Sequence, residues 1–136
     1  MKNKSQISVE YMLIVGFATL MAIPLLLIYY RYTADSSDTI ATSQALQIAR
    51  KIADSSESVY YLGKPSQTTL KFSFPDNIQI INLSGREVVF KLKTRSGITD
   101  LVQASSVNMS GSIPVSAGIH TLELKAEDGY VQITAS

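Results

Sequence analysis

From Tyr11 to Tyr30 the chain reads YMLIVGFATLMAIPLLLIYY, twenty residues without a charge. As a helix this run spans about 30 Å, the hydrocarbon thickness of a bilayer. No other stretch of the chain constrains the fold as much. Lys2 and Lys4 precede the run and Arg31 follows it. A basic N-terminal flank holds that end in the cytoplasm, so the residues after the run are exported. Tyr29 and Tyr30 suit the interfacial layer where aromatic rings settle. The run is too long for the apolar region of a removed secretory signal, and YYRYTADSSD after it offers no small-x-small cleavage site. The apolar segment is therefore expected to stay on the mature chain.

Beyond Arg31 the pattern turns amphipathic. Ile40, Ala41, Ala45, Ile48, Ala49, Ile52, Val59 and Leu62 recur mainly at steps of three and four and predict one helical face. Asp38, Gln44, Gln47, Arg50, Lys51, Asp54 and Glu57 are expected on the opposite face. Gly63-Lys64-Pro65 stops the helix, and no strong breaker precedes it after Arg31. One helix over 6–62 is predicted, softened at Gly16 and Pro24.

From Ser66 the period changes to two. Leu70, Phe72 and Phe74 alternate with polar residues, and so do Val88, Phe90 and Leu92. Turns are expected at Pro75-Asp76-Asn77, Ser84-Gly85, Ser96-Gly97 and Glu127-Asp128-Gly129, the last joining HTLELKA to GYVQITA as a hairpin. The stretch SSVNMSGSIPVSAG is polar and predicts at most one short strand. Six or seven short strands in residues 66–136 make a small antiparallel β-head, a sandwich or a strongly curled sheet. The fold class is α+β: a long N-terminal helix, apolar in its inner half, followed by a β-sandwich-like head.

Composition narrows the function. The 136 residues carry a net charge of +1, which gives no bulk electrostatic case for nucleic acid. There is no Cys, so disulfides and thiolate metal sites are excluded. The single His, His120, lies in a strand-like context with no visible catalytic partner, and no phosphate loop or metal-ligand spacing occurs. No enzyme activity, cofactor or metal is expected. Asn82-Leu83-Ser84 and Asn108-Met109-Ser110 are N-glycosylation sequons in turn-like parts of the exported half. Asn3-Lys4-Ser5 falls on the cytoplasmic side.

One residue resists the anchor description. Glu10 stands at the edge of the uncharged run, where an unpaired carboxylate is costly. Its surroundings, Gln6-Ile7-Ser8-Val9-Glu10-Tyr11, form a Q-x-S-x-E-Y pattern behind a basic leader and ahead of an apolar helix. This resembles the class III signal peptide of archaeal type IV pilin-like proteins. The resemblance covers residues 2–30 and rests on Gln6, Ser8, Glu10 and Tyr11. It implies that a prepilin peptidase cuts between Ser5 and Gln6, although Ser5 stands where Gly or Ala is more usual. Residues 1–5 would be discarded, 6–62 would form the pilin helix with 11–30 as membrane span and later filament core, and 66–136 the head.

Further implications concern assembly. The precursor would sit in the cell membrane and the mature subunit in a surface filament of identical or related subunits serving adhesion. The new α-amine of Gln6 would lie one turn before Glu10, able to pair with it in the same or a neighbouring subunit. The stretch does not look like the Gly-rich cleavage site of archaellum subunits. Two alternatives share the same features: a single-span anchored β-domain used for binding, and an accessory pilin that primes or caps filaments.

Overall fold

In the computed structural model, residues 2–136 are described, with side chains from Gln6 onward. Helix α1 spans Lys2–Leu62. Five strands follow: β1 (Gln67–Phe74), β2 (Ile78–Thr94), β3 (Gly97–Ser112), β4 (Gly118–Glu127) and β5 (Tyr130–Ala135). The α+β architecture expected from the pattern is present, a long N-terminal helix followed by a mostly antiparallel sheet. The chain divides into two compact units, one ending at Ser37 and one running from Asp38 to Ser136.

The first unit is helix alone. Hydroxyls in it are satisfied within the helix: Thr19 Oγ1 donates to Val15 O at 2.8 Å and Thr33 Oγ1 to Tyr29 O at 3.0 Å. Such back-bonding lets a hydroxyl face an apolar medium without an orphan donor. Pro24 lies inside the helix and has no N–H to give to the carbonyl four residues earlier.

In the second unit the sheet order is β1-β4-β5-β3-β2. All neighbours are antiparallel except β3 and β5, which pair in parallel from Met109↔Val131 to Ser112↔Thr134. The β4–β5 hairpin forms at the expected place, with Glu127 opposite Tyr130 and Asp128-Gly129 as the two-residue loop. Gly129, the second loop residue, has φ +84°, a left-handed backbone that favours glycine, while Asp128 keeps a negative φ. β4 follows β3 by passing beyond the place that β5 fills on its return. That return inserts a strand parallel to β3, which alternation and turn signals do not encode.

Two distances give the sheet its shape. Lys93 N–H donates to Asn77 O at 2.8 Å. An extended strand would hold these residues about 50 Å apart. β2 therefore doubles back on itself about its midpoint, Gly85, whose φ is +61°. This is the turn anticipated at Ser84-Gly85, and the two arms of β2 bring the extended segments to six. Phe74 of β1 and Phe90 of β2 meet edge to face with centroids 6.5 Å apart. They sit on the first and last strands of the order, which a flat sheet would separate by about 19 Å. The sheet is strongly curled around its core.

The second half of α1 packs into that core. Ala45, Ile48, Ala49 and Ile52 cluster with Phe72, Phe74, Val88, Phe90, Leu92, Leu122, Leu124, Val131 and Ile133. Fully burying a Phe, Leu or Ile side chain contributes about 2 kcal/mol, so these contacts dominate the stability of the unit. The alanines let the helix approach the strands closely. The predicted face is right in its centre and wrong at its ends. Ile40 is 57% exposed and Leu62 75%, while Ala53, Ser56 and Val59 are buried. The sheet covers the helix only from Ala45 to Val59, which leaves flanking apolar residues in solvent. The helix stops at Gly63, φ +77°, whose N–H donates to Tyr60 O at 3.0 Å.

The polar stretch after Ala104 departs most from expectation. It belongs to β3, and Ser105, Val107 and Met109 point inward and are buried. A small polar residue at one of three inward positions, and Ser and Asn between them, hide the alternation. Gly111 explains how β3 then meets β5. Its φ is +140°, and a Cβ there would stand 1.9 Å from Ile133 O. Only glycine fits against that backbone.

Candidate functional site

The processing and assembly residues singled out by sequence lie on one segment. Gln6, Ser8, Glu10 and Tyr11 are all helical and exposed. The side chain of Ser5, on the other side of the expected cut, lies outside the described residues. Gln6 and Glu10 are four residues apart on α1 and therefore share a face, about 6 Å apart along the axis. Among the described residues Glu10 has no ion-pair partner.

The apolar run is exposed along its whole length, with every side chain from Gln6 to Thr33 open. Its most apolar window has a mean hydropathy of 2.4 and none of it is buried. Helices in the core of a soluble protein are covered by their own chain. This one exposes Met12, Leu13, Phe17, Leu20, Leu26 and Ile28 by more than half each. Exposed apolar surface of this extent marks a membrane or protein contact. By length and composition the helix can cross a bilayer, and it is compatible with membrane anchoring.

A second set of polar contacts fixes the helix to the sheet within the head. Glu57 Oε1 accepts Ser106 N–H at 2.7 Å and Ser105 Oγ–H at 3.3 Å. The register explains why this bond is needed. Between Glu87↔Ala104 and Gly85↔Met109, residues Ser105 to Asn108 of β3 face only Arg86 of β2. The bulge removes ladder partners, and the Glu57 carboxylate supplies one. These bonds, that of the Ser106 backbone first, hold the Glu57 carboxyl below its ordinary value of 4.5. Asp38 Oδ2 likewise accepts Arg95 N–H at 3.0 Å. Both acids were expected on the solvent face; each turns instead to the margin of the sheet. Their positions flanking the Ala45–Ile52 stripe were the available sign.

At the helix end, Lys64 Nζ lies 2.7 Å from Asp128 and 3.1 Å from Glu127, with Lys125 3.3 Å from Glu127. The hydrogen bond to Asp128 and then that to Glu127 raise the Lys64 pKa, and Lys64 lowers that of Glu127. These are exposed pairs that tether the 63–66 connection to the β4–β5 turn.

Asn82 and Asn108, expected in turns, lie within β2 and β3, and both are exposed. The Gly85↔Met109 pairing brings Asn108 beside the β2 turn. His120 stacks on Phe74 at 5.2 Å and its Nε2 lies 2.7 Å from Ser116 O, which orders the loop before β4. Among the described residues no three His, Cys, Asp or Glu side chains converge as a metal site. The chain matches no protein-family profile, no curated protein and no solved structure.

Proposed function

We propose that this chain is the structural subunit of an archaeal type IV pilus-like adhesion filament, made as a membrane precursor and polymerised through its N-terminal helix. One observation carries the reading: a Q-x-S-x-E-Y stretch stands directly before an apolar helix that the chain leaves uncovered. The head holds its own core, so the run from Tyr11 to Tyr30 has no folding role within the described chain. In the precursor, lipid covers it. In the filament, the same run on neighbouring subunits covers it. Both media require every backbone polar group to be satisfied within its own helix, so one segment serves both.

Processing between Ser5 and Gln6 gives Glu10 its purpose. The cut makes Gln6 the first residue, turns its amide nitrogen into an α-ammonium and leaves the N–H groups of Ile7, Ser8 and Val9 without intrahelical acceptors. The new α-ammonium and these N–H groups form a positive end, and Glu10 sits one turn away. Pairing across subunits would bury both charges and fix the axial register. Removing one partner of a buried pair costs about 3–5 kcal/mol, enough to stop assembly. Glu10→Ala should therefore leave the precursor in the membrane and abolish filaments seen by electron microscopy of the cell surface. Undiminished filament yield would refute the pairing. Exposed Asn82 and Asn108 remain available for glycans on the outer surface of such a filament.

A further inference from the structure

We infer that one end of the β-head is a seat for the lipid surface, so that the anchored subunit stands on the membrane rather than hanging free above it. The inference rests on the anchoring of the apolar run. The end in question is the one at which α1 enters the second unit. Asp38 begins that unit and accepts Arg95 N–H at 3.0 Å, which places the β2–β3 turn there. Lys93 N–H bonds Asn77 O at 2.8 Å, which brings the β1–β2 turn to the same end. Ser73, just before that turn, pairs with Ile119, so the start of β4 and the loop before it join the group.

This end collects more of the exposed aliphatic surface than the opposite end. Of the eight exposed large apolar side chains described in the unit, four lie here: Ile40, Ile98, Val115 and Ile119. Ile98 and Ile119 are 64% and 69% exposed. The opposite end carries the Lys64–Glu127–Asp128 cluster, the Ser105–Asn108 bulge and both sequon asparagines, with Tyr61 and Leu62 as its exposed apolar residues. The branched aliphatics Ile40, Ile98, Val115 and Ile119 take no part in the core of the head, and each gains by leaving water for a low-dielectric contact.

The chain itself identifies the occupant. The step from Arg31, where the uncharged run ends, to Asp38 spans at most about 25 Å even if fully extended. An anchored chain therefore holds this end within reach of the headgroup layer, and the tether supplies the effective concentration for a weak contact. The charges at this end, Lys93 and Arg95 against Asp38 and Asp76, balance. The net charge of the seat is therefore close to zero, and its contact with lipid is expected to be indifferent to headgroup charge.

Because the chain has no Cys, single spin labels report cleanly. The full chain carrying Ile98→Cys, Ile119→Cys, Asp128→Cys or Ile23→Cys would be labelled and reconstituted at high dilution in phosphatidylcholine vesicles, with and without phosphatidylglycerol. Accessibility to dissolved oxygen relative to a water-soluble nickel chelate is then read. The expected ratios at Ile98 and Ile119 lie between those at Ile23 and Asp128, several-fold above Asp128, and are the same in both vesicles. Ratios equal to that at Asp128, with Ile23 buried in lipid, would overturn the seat and leave the anchor standing. An aqueous Ile23 would overturn both. Protection that disappears on dilution in lipid would overturn the seat in favour of contact between heads.

Discussion

Gly111→Ala tests the joint on which the head is built. Gly111 has φ +140°, and the added Cβ would stand 1.9 Å from Ile133 O and 2.9 Å from Ile133 C. Neither atom can yield alone, because both belong to the β5 backbone, paired with β3 on one side and β4 on the other. Backbone strain at such a φ costs about 1–3 kcal/mol and the overlap about 1–3 more. The expected total is about 4 kcal/mol, a large part of the roughly 5–15 kcal/mol that holds a domain folded. Gly118→Ala is the control. Its φ is +117°, but nothing lies within 4 Å of the added atom, so it bears the strain without the overlap. Urea unfolding of the two variants, followed by circular dichroism, measures the difference. Gly111→Ala should be the less stable by about 2 kcal/mol, with its sheet signal lost first. Equal midpoints would refute the close β3–β5 approach, and with it the parallel pairing.

Two further substitutions probe the contact between helix and sheet. Glu57→Gln should cost about 1 kcal/mol at neutral pH, the value of a charged acceptor discounted for its partial exposure. The folded carboxyl lies below its ordinary 4.5, so the stabilisation is complete above that value and is lost as the pH falls through the lowered one. The stability gap between native chain and variant should therefore close in acid, and a gap that persists there would contradict the bond. Ser56→Ala should be neutral or stabilise by up to about 1 kcal/mol, because Ser56 Oγ is fully buried and has no hydrogen-bond partner. A loss above about 1 kcal/mol would show that the hydroxyl has a partner.

How much of this could be read from the chain depended on how loudly each feature speaks in local sequence. The uncharged run and the Ala45–Ile48–Ala49–Ile52 spacing declare a helix because burial and lipid both select for its period. Asp128-Gly129 declares a hairpin because the positive φ at its second position suits glycine above other residues. Val88, Phe90 and Leu92 declare a core strand and are fully buried. The features that stayed hidden are those fixed by distant partners. Ser105, Val107 and Met109 point inward in a stretch whose composition reads as loop. Gly111 is required by a backbone twenty-two residues away in the pairing with Ile133. Ile40 and Leu62 continue the helical period past the edge of the sheet that would have covered them. Asp38 and Glu57 look like solvated charges until the β2–β3 turn and the β3 bulge are seen to need acceptors. At the candidate site the balance differs. Gln6, Ser8, Glu10 and Tyr11 were found by motif, and the fold adds that they share an exposed helix whose apolar continuation is uncovered.

The most direct test of the filament-subunit proposal is the N-terminal residue of the chain isolated from its native membrane or surface fraction, determined by mass spectrometry of the N-terminal peptide. A processed filament subunit begins at Gln6, with Lys2 and Lys4 gone and the uncharged run intact. A chain that still begins at Met1, or one cut after Tyr30, would contradict the proposal.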